Sequence, residues 1–287
     1  MRRLSLVQLA LVVLASASCR ERPKPTPAIS DVSVVPAVDA SAPIVADAGL
    51  APLEANWIEK LDLPEGGVGY VTPPVGSREP RPIIVAVHGA WDDPGLMCSA
   101  WRLIVDVYAF VVCPGGRPVD PSREGRLFVW SSGEHIAKRA HEAVAATKAK
   151  YPGRVAEDAP MIYVAFSQGS NLAGTLLGRE AKSFPRVVFT EGGYRTFEDA
   201  SIARAFAKGG GERVLFTCSQ PGCAGSFAGS RAALEHAGIA AQVDYSGPHG
   251  HSMPPPVREK IHDALPWIVE GLHGWEGYAA APKLSGH

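Results

Sequence analysis

Apolar residues form short continuous runs that alternate with longer amphipathic segments from about Trp57 to Leu272. Runs such as PIIVAV at 82–87 and MIYVAF at 161–166 contain no charged position, which is typical of strands buried on both faces of a parallel sheet. Between two such runs, the segment 134–150 is rich in alanine and has the charge spacing of a helix with one exposed face. The alternation predicts βαβ units, and therefore an α/β fold with a mostly parallel sheet covered by helices on both faces.

The same pattern sets the expected elements. The predicted strands are Val68–Thr72, Pro82–Val87, Ala109–Cys113, Met161–Phe166, Arg186–Thr190, Arg213–Thr217 and Ala241–Tyr245. The predicted helices are Gly95–Val105, Glu134–Lys150, Gly169–Arg179, Phe197–Lys208, Ser226–Ala237 and Pro256–Leu272. Right-handed crossovers place the carboxyl ends of parallel strands along one edge, where ligands of open α/β sheets bind. We therefore expect the chemistry in loops that follow strands.

The first eighteen residues have a different character. Arg2 and Arg3 precede an apolar run that is shorter than the ~20 residues of a membrane-spanning helix, and small residues follow it. This predicts a signal peptide over residues 1–18 and export of the chain. The small residues before Cys19 resemble a bacterial lipoprotein signal, which implies lipidation of Cys19 and a periplasmic or outer-membrane-tethered protein. Because Ser16 stands where leucine is usual, ordinary cleavage after Ala17 and secretion is the alternative.

Residues 19–53 are rich in proline, alanine, serine, valine and aspartate without a sustained period, which predicts a linker. The expected domain spans residues 54–287. The formal net charge is −1 and the basic residues are scattered, so the composition does not favour nucleic acid as a partner. Contact with a membrane is expected only through an N-terminal lipid.

Five cysteines suit an exported protein, because disulfides persist in oxidising compartments. If Cys19 carries lipid, sequence order pairs Cys98 with Cys113 and Cys218 with Cys223, since each pair flanks one predicted strand or its exit loop. The CxxC spacing of many metal sites does not occur in the chain. The sequence implies neither a metal nor an organic cofactor.

The most specific motif is Ala165-Phe166-Ser167-Gln168-Gly169, which follows an apolar strand and precedes a predicted helix. This context is that of a nucleophile elbow, a turn so tight that the residues two places before and after the serine must be small. Ala165 and Gly169 meet that requirement. The motif predicts that Ser167 is a nucleophile, although a serine in such a loop can also be a simple helix N-cap.

A second motif, His88-Gly89-Ala90-Trp91, directly follows the strand at 82–87. With this motif, the segment from Trp57 to Leu272 resembles the α/β-hydrolase family. The resemblance implies an α/β-hydrolase fold in which the backbone N–H groups of Ala90 and Gln168 form an oxyanion hole. It also implies that His88 holds the loop and is neither acid nor base.

The catalytic histidine of that family lies in the loop before the last helix, usually after a glycine. Gly250-His251 fits this pattern, so the resemblance implies that His251 is the general base, with His249 as the alternative. The third member of the triad departs from the family, because residues 218–231, after the strand that usually carries the acid, contain neither aspartate nor glutamate. Glu191, which follows the preceding strand, is the candidate acid.

Asp244 and Asp199 are weaker candidates for the acid, and a serine–histidine dyad without an acid stays open. The motifs together predict a serine hydrolase that acts on small acyl substrates, with a carboxylic ester as the expected bond. Peptidase and thioesterase activities are close alternatives. The alternative from another functional class is an inactive domain of the same fold that serves as an envelope binding protein. The absence of an acidic residue after the usual strand suggests this alternative.

Overall fold

The computed structural model describes residues 49–120 and 127–281. The predicted signal peptide, Cys19 and the predicted linker up to residue 48 lie outside the described residues. No helix in the described part of the chain is both long enough and apolar enough to cross a membrane.

The last residues of the predicted linker pack on the domain. The Leu53 side chain is buried, and the Leu53 N–H donates to the carbonyl of Ser77. The carbonyl of Leu53 in turn accepts from the N–H of Gly76. These bonds attach the chain to the domain just before its first strand.

Most strands of the described chain form one sheet with the order β1-β2-β4-β3-β7-β8-β9-β10. The strands are β1 Glu59–Leu63, β2 Gly67–Thr72, β3 Ile83–Val87, β4 Phe110–Pro114, β5 Arg117–Pro118, β6 Phe128–Val129, β7 Ile162–Phe166, β8 Arg186–Thr190, β9 Arg213–Cys218 and β10 Ala240–Tyr245. Strand β2 pairs antiparallel with β1 and β4, and the other pairs in this sheet are parallel. The short strands β5 and β6 pair separately. The α/β fold with a mostly parallel sheet is therefore as predicted.

Each predicted strand is present with bounds that differ by no more than one residue. The prediction lacked β1, whose sequence EKLDL buries only Leu61 and Leu63. An edge strand with one face in water has few apolar positions, so its pattern is short and easily missed. The pairing of β5 with β6 was also not predicted, because each is two residues long.

Helices cover both faces of the sheet. They are α1 Pro94–Ile104, α2 Gly133–Lys150, α3 Gln168–Asn171, α4 Gly174–Glu180, α5 Ala200–Lys208, α6 Cys223–Ser226, α7 Ala228–His236 and α8 Pro255–Val269. One apolar core joins a face of the sheet to α2, α4, α5 and α7, and a second core joins the opposite face to α1 and α8. Burial of both faces explains why β3 and β7, at the centre of the sheet, have no charged position.

The prediction of a continuous helix over Gly169–Arg179 was wrong, because α3 ends at Asn171 and α4 begins at Gly174. Gly174 lies so close to α5 that a Cβ there would be 3.1 Å from the Ile202 side chain. The helix predicted from Phe197 begins at Ala200 instead, because the Asp199 carboxylate caps it by accepting from the N–H of Ser201.

The structure pairs Cys98 with Cys113 and Cys218 with Cys223, with Cα–Cα distances of 5.7 and 6.2 Å. The first bridge joins α1 to β4 inside the second core. The second bridge closes a short loop directly after β9.

Replacing both Cys98 and Cys113 with alanine is expected to lower the free energy of unfolding by about 3 kcal/mol, because the unfolded chain regains the entropy of a loop of 15 residues. The matched double replacement of Cys218 and Cys223 opens a loop of 5 residues and should cost about 2 kcal/mol. Urea unfolding of the oxidised proteins measures both. An unchanged urea midpoint in the first variant would contradict the expectation.

Candidate active site

Ser167 lies at the sharp turn between β7 and α3. Its backbone has φ 50° and ψ −111°, a conformation that residues with side chains rarely adopt and that costs about 1–3 kcal/mol. The Ser167 N–H donates to the carbonyl of Thr190 at the end of the neighbouring strand β8, over 2.9 Å. A Cβ on Gly169 would lie 2.7 Å from Val87 Cγ1, so this position accepts only glycine without rearrangement. The packing therefore holds the turn in its strained form.

The loop after β8 also closes on this turn. A Cβ on Gly192 would lie 2.5 Å from the carbonyl oxygen of Ser167, and the Gly193 N–H donates to Asn171 Oδ1 over 2.7 Å. Glu191 precedes these glycines and has a positive φ of 53°. The two glycines thus let the Glu191 loop approach the serine.

His251 lies in the loop between β10 and α8, where its Nε2 is 2.8 Å from Ser167 Oγ. Its ring also lies against Phe166, with 5.0 Å between the ring centroids. His249 makes no hydrogen bond to Ser167, and its N–H donates to the carbonyl of Ser219. The structure therefore brings His251 to the serine.

The Glu191 carboxylate is fully buried beneath the histidine, with its Oε2 at 3.8 Å from His251 Nδ1. Its Oε1 accepts from the N–H of Ser219 and from the Ser219 hydroxyl, the latter over 2.7 Å. Its Oε2 accepts from Gln220 Nε2 over 3.0 Å. Three donors from the loop after β9 therefore hold the carboxylate.

The weaker candidates for the acid are engaged elsewhere. Asp199 caps α5 through Ser201, and Asp244 lies within β10 opposite Thr217. Ser219 and Gln220 were not predicted from the sequence. The only signal for them was the absence of an acidic residue in their segment, which indicates nothing about a neutral donor.

The N–H groups of Ala90 and Gln168 donate to no other group among the described residues. The Gln168 side chain is clamped at both ends, since its Oε1 accepts from the Trp130 N–H and its Nε2 donates to the Trp130 carbonyl. Because α3 has only four residues, it adds only a small helix dipole behind Ser167. The backbone N–H groups of Ala90 and Gln168 are therefore the donors beside Ser167 that could bind an anion.

His88 is completely buried behind this turn. Its Nδ1–H donates to the carbonyl of Gly89 over 2.6 Å, and its Nε2 accepts from the N–H of Gly116 over 3.1 Å. Its ring stacks on Trp130 at 4.6 Å between centroids, and the Trp130 Nε1–H donates to the His88 carbonyl. Burial lowers the pKa of His88 to about 4, so it is neutral and braces the turn that carries Ala90.

A cavity of about 590 Å³ opens beside Ser167 and His251. Its walls are largely apolar and are formed in part by Leu96, Met97, Leu103 and Met253. A larger cleft of about 1170 Å³ contains neither Ser167 nor His251. No cluster of histidine, cysteine, aspartate and glutamate in the described part of the chain could hold a metal ion.

No family model matches the chain, and no curated protein matches it. A dienelactone hydrolase-like promiscuous phosphotriesterase from metagenomic libraries is 16% identical, with a TM-score of 0.55 over 75% of this chain and 98% of the other. A candidate dienelactone hydrolase from Klebsiella pneumoniae is 13% identical, with a TM-score of 0.53 and the same coverages. An uncharacterised Bacillus cereus protein is 15% identical, with a TM-score of 0.52. That match covers 68% of this chain and only 62% of the other. The chain thus has the α/β-hydrolase fold.

The free energy of unfolding should fall as the pH drops from about 6.5 toward about 4, because the unfolded chain binds a proton on His88 that the folded protein excludes. The His88→Gln variant should lose this part of the pH dependence. The exposed His236 supplies the control, because His236→Gln should retain it. Urea midpoints measured between pH 7 and pH 5 test this prediction. An equal dependence of the midpoint on pH in wild type and His88→Gln would contradict it.

Proposed function

We propose that the chain is a serine hydrolase that cleaves carboxylic esters or related acyl bonds, with Ser167 as the nucleophile. The single observation that carries the proposal is the 2.8 Å contact between Ser167 Oγ and His251 Nε2 at a strained turn beside an open cavity. The hydrolases among the structural neighbours support the reaction class. This support is an analogy, because one fold hosts many chemistries.

In the proposed reaction, Ser167 Oγ attacks the acyl carbon while His251 Nε2 takes the hydroxyl proton. The N–H groups of Ala90 and Gln168 donate to the oxyanion that forms. His251 then gives its proton to the leaving oxygen, and the acyl group stays on Ser167 as an ester. Water then attacks the acyl carbon while His251 takes one of its protons. The bond to Ser167 Oγ breaks to release the acid, and His251 returns the proton to the serine oxygen.

Glu191 is the proposed acid of the triad. Its buried carboxylate lies 3.8 Å from His251 Nδ1, and an anion there would stabilise the imidazolium that forms during attack. Its position after β8, one strand before the usual place, is compatible with this role because β8 and β9 are neighbours in the sheet.

The apolar walls of the cavity favour an acyl or alcohol portion with hydrocarbon character. Trp91 and Leu96 at this cavity are 65% and 68% exposed, which extends the apolar surface beyond the serine. Peptides and thioesters are the other acyl substrates that the same machinery would serve.

We also propose that the protein is exported and tethered by a lipid on Cys19, which lies outside the described residues. The sequence pattern before Cys19 and the two disulfides of the domain support export, because disulfides persist in oxidising compartments.

A fluorophosphonate probe should label the wild-type protein and fail to label Ser167→Ala, because only an activated serine reacts with the phosphorus centre. The buried Ser230, which bonds to the backbone of Phe197 and Tyr194, is far along the chain from the site, so Ser230→Ala supplies a control that should still label. Intact-protein mass spectrometry measures the adduct. Folded wild-type protein that does not react would favour the inactive binding protein.

Glu191→Gln should lower kcat for an acyl ester by up to roughly 10⁴-fold, the effect of neutralising the acid in a well-studied triad. The exposed Glu235 pairs with Arg231 on α7, so Glu235→Gln is the matched control and should change little. Steady-state ester hydrolysis measures both variants. Activity of Glu191→Gln within threefold of wild type would remove Glu191 from the role.

A further inference from the structure

The side chain of Gln220 lies between the proposed acid and the proposed base. Gln220 Nε2 is 3.0 Å from Glu191 Oε2 and 3.1 Å from His251 Nδ1, whereas the carboxylate and the imidazole are 3.8 Å apart. A separation of 3.8 Å is too long for a hydrogen bond. At rest, the partner of His251 Nδ1 is therefore an amide and not the carboxylate.

The orientation of this amide follows from its neighbours. An ionised carboxylate only accepts hydrogen bonds, so the group 3.0 Å from Glu191 Oε2 must be the amide nitrogen. With the amide reversed, Gln220 Oε1 would face Glu191 Oε2, and two acceptors would meet without a proton between them. An amide nitrogen carries two protons and accepts no hydrogen bond. It therefore donates one proton to Glu191 Oε2 and the other to His251 Nδ1.

The loop that carries Gln220 is held on both sides. The bridge between Cys218 and Cys223 closes it, and the N–H of Cys223 donates to the carbonyl of Gln220. Its neighbour Ser219 donates both its N–H and its hydroxyl to Glu191 Oε1, which bonds the loop to the carboxylate as well. These contacts hold the Gln220 amide in place between the two side chains.

This geometry determines which nitrogen of His251 is protonated. A neutral imidazole has one donor and one acceptor nitrogen, so if Nδ1 accepts from Gln220, the proton is on Nε2 and points at Ser167. A general base needs the opposite tautomer, with Nε2 free to accept the serine proton. We propose that Gln220 is a positioning residue that holds His251 in the Nε2-protonated tautomer, so that the base acts only when the amide leaves Nδ1.

The proposal rests on Ser167 and His251 acting as nucleophile and base, and it adds a regulation of that same site. When the Gln220 amide moves aside, solvent can take the proton from Nε2 and return one to Nδ1. The imidazole and Glu191 must then close the 3.8 Å gap, so that Nδ1–H donates to the carboxylate. No net proton is gained or lost in this exchange.

Nitrogen-15 NMR of histidine-labelled protein at neutral pH tests the tautomer without substrate. We expect His251 to be protonated on Nε2 in the wild type and to shift toward the Nδ1-protonated form in Gln220→Ala. The exposed Gln242 on β10 is the matched control, and Gln242→Ala should keep the wild-type spectrum. A wild-type His251 protonated on Nδ1 would overturn the proposal.

The rate of fluorophosphonate labelling gives a second readout. Gln220→Ala should react about tenfold faster than wild type, which corresponds to releasing one hydrogen bond of about 1.4 kcal/mol. A tenfold slower reaction of a folded Gln220→Ala would instead make the amide a required relay and overturn the proposal.

Exchanging the carboxylate of Glu191 and the amide of Gln220 tests whether the effect of Gln220 depends on its hydrogen bond to His251 Nδ1. In the double variant Glu191→Gln/Gln220→Glu, a carboxylate would stand 3.1 Å from His251 Nδ1 with the amide behind it. This variant should label faster than Glu191→Gln alone, and an equal rate would count against the proposal. If neither the wild type nor any variant reacts while the NMR result is as expected, the hydrolase function fails and the effect of Gln220 on His251 stands.

Discussion

Ser167 keeps a backbone conformation that is unfavourable by itself, with φ 50° and ψ −111°, because three neighbouring strands enforce it. It directly follows β7, its N–H is bonded to Thr190 at the end of β8, and Gly169 lies against Val87 at the end of β3. These strands are adjacent in the sheet. The packing energy of the apolar sheet thus offsets the strain of one turn and leaves a hydroxyl projecting beside the cavity.

Buried aromatic side chains support the turn that carries Ala90. His88 is neutral inside the fold and uses both ring nitrogens, one toward Gly89 and one toward Gly116. Trp130 stacks on this ring and also bonds both ends of the Gln168 amide. Ala90 and Gln168, whose N–H groups are the proposed oxyanion donors, therefore lie beside one connected set of hydrogen bonds.

The neighbouring loops after β8 and β9 both supply side chains beside His251. The loop after β8 carries the carboxylate of Glu191, and the disulfide-closed loop after β9 carries its donors, Ser219 and Gln220. The N–H of Glu191 also donates to the carbonyl of Thr217 in β9, so the two loops are tied at their bases. A neutral amide thereby comes to lie between the carboxylate and His251.

The amino-acid pattern was enough to predict the α/β class, the central strands and the turn at Ser167. Strands buried on both faces have continuous apolar runs, and an elbow requires small residues at fixed offsets, so both signals are local. The pattern also indicated His251 and Glu191, but it could not indicate the distance between them. The folded chain was needed to show that β1 joins the sheet edge, that the helix after Ser167 is broken and that Gln220 separates Glu191 from His251. Each of these depends on contacts between residues far apart in the chain, and no periodicity or spacing records such contacts.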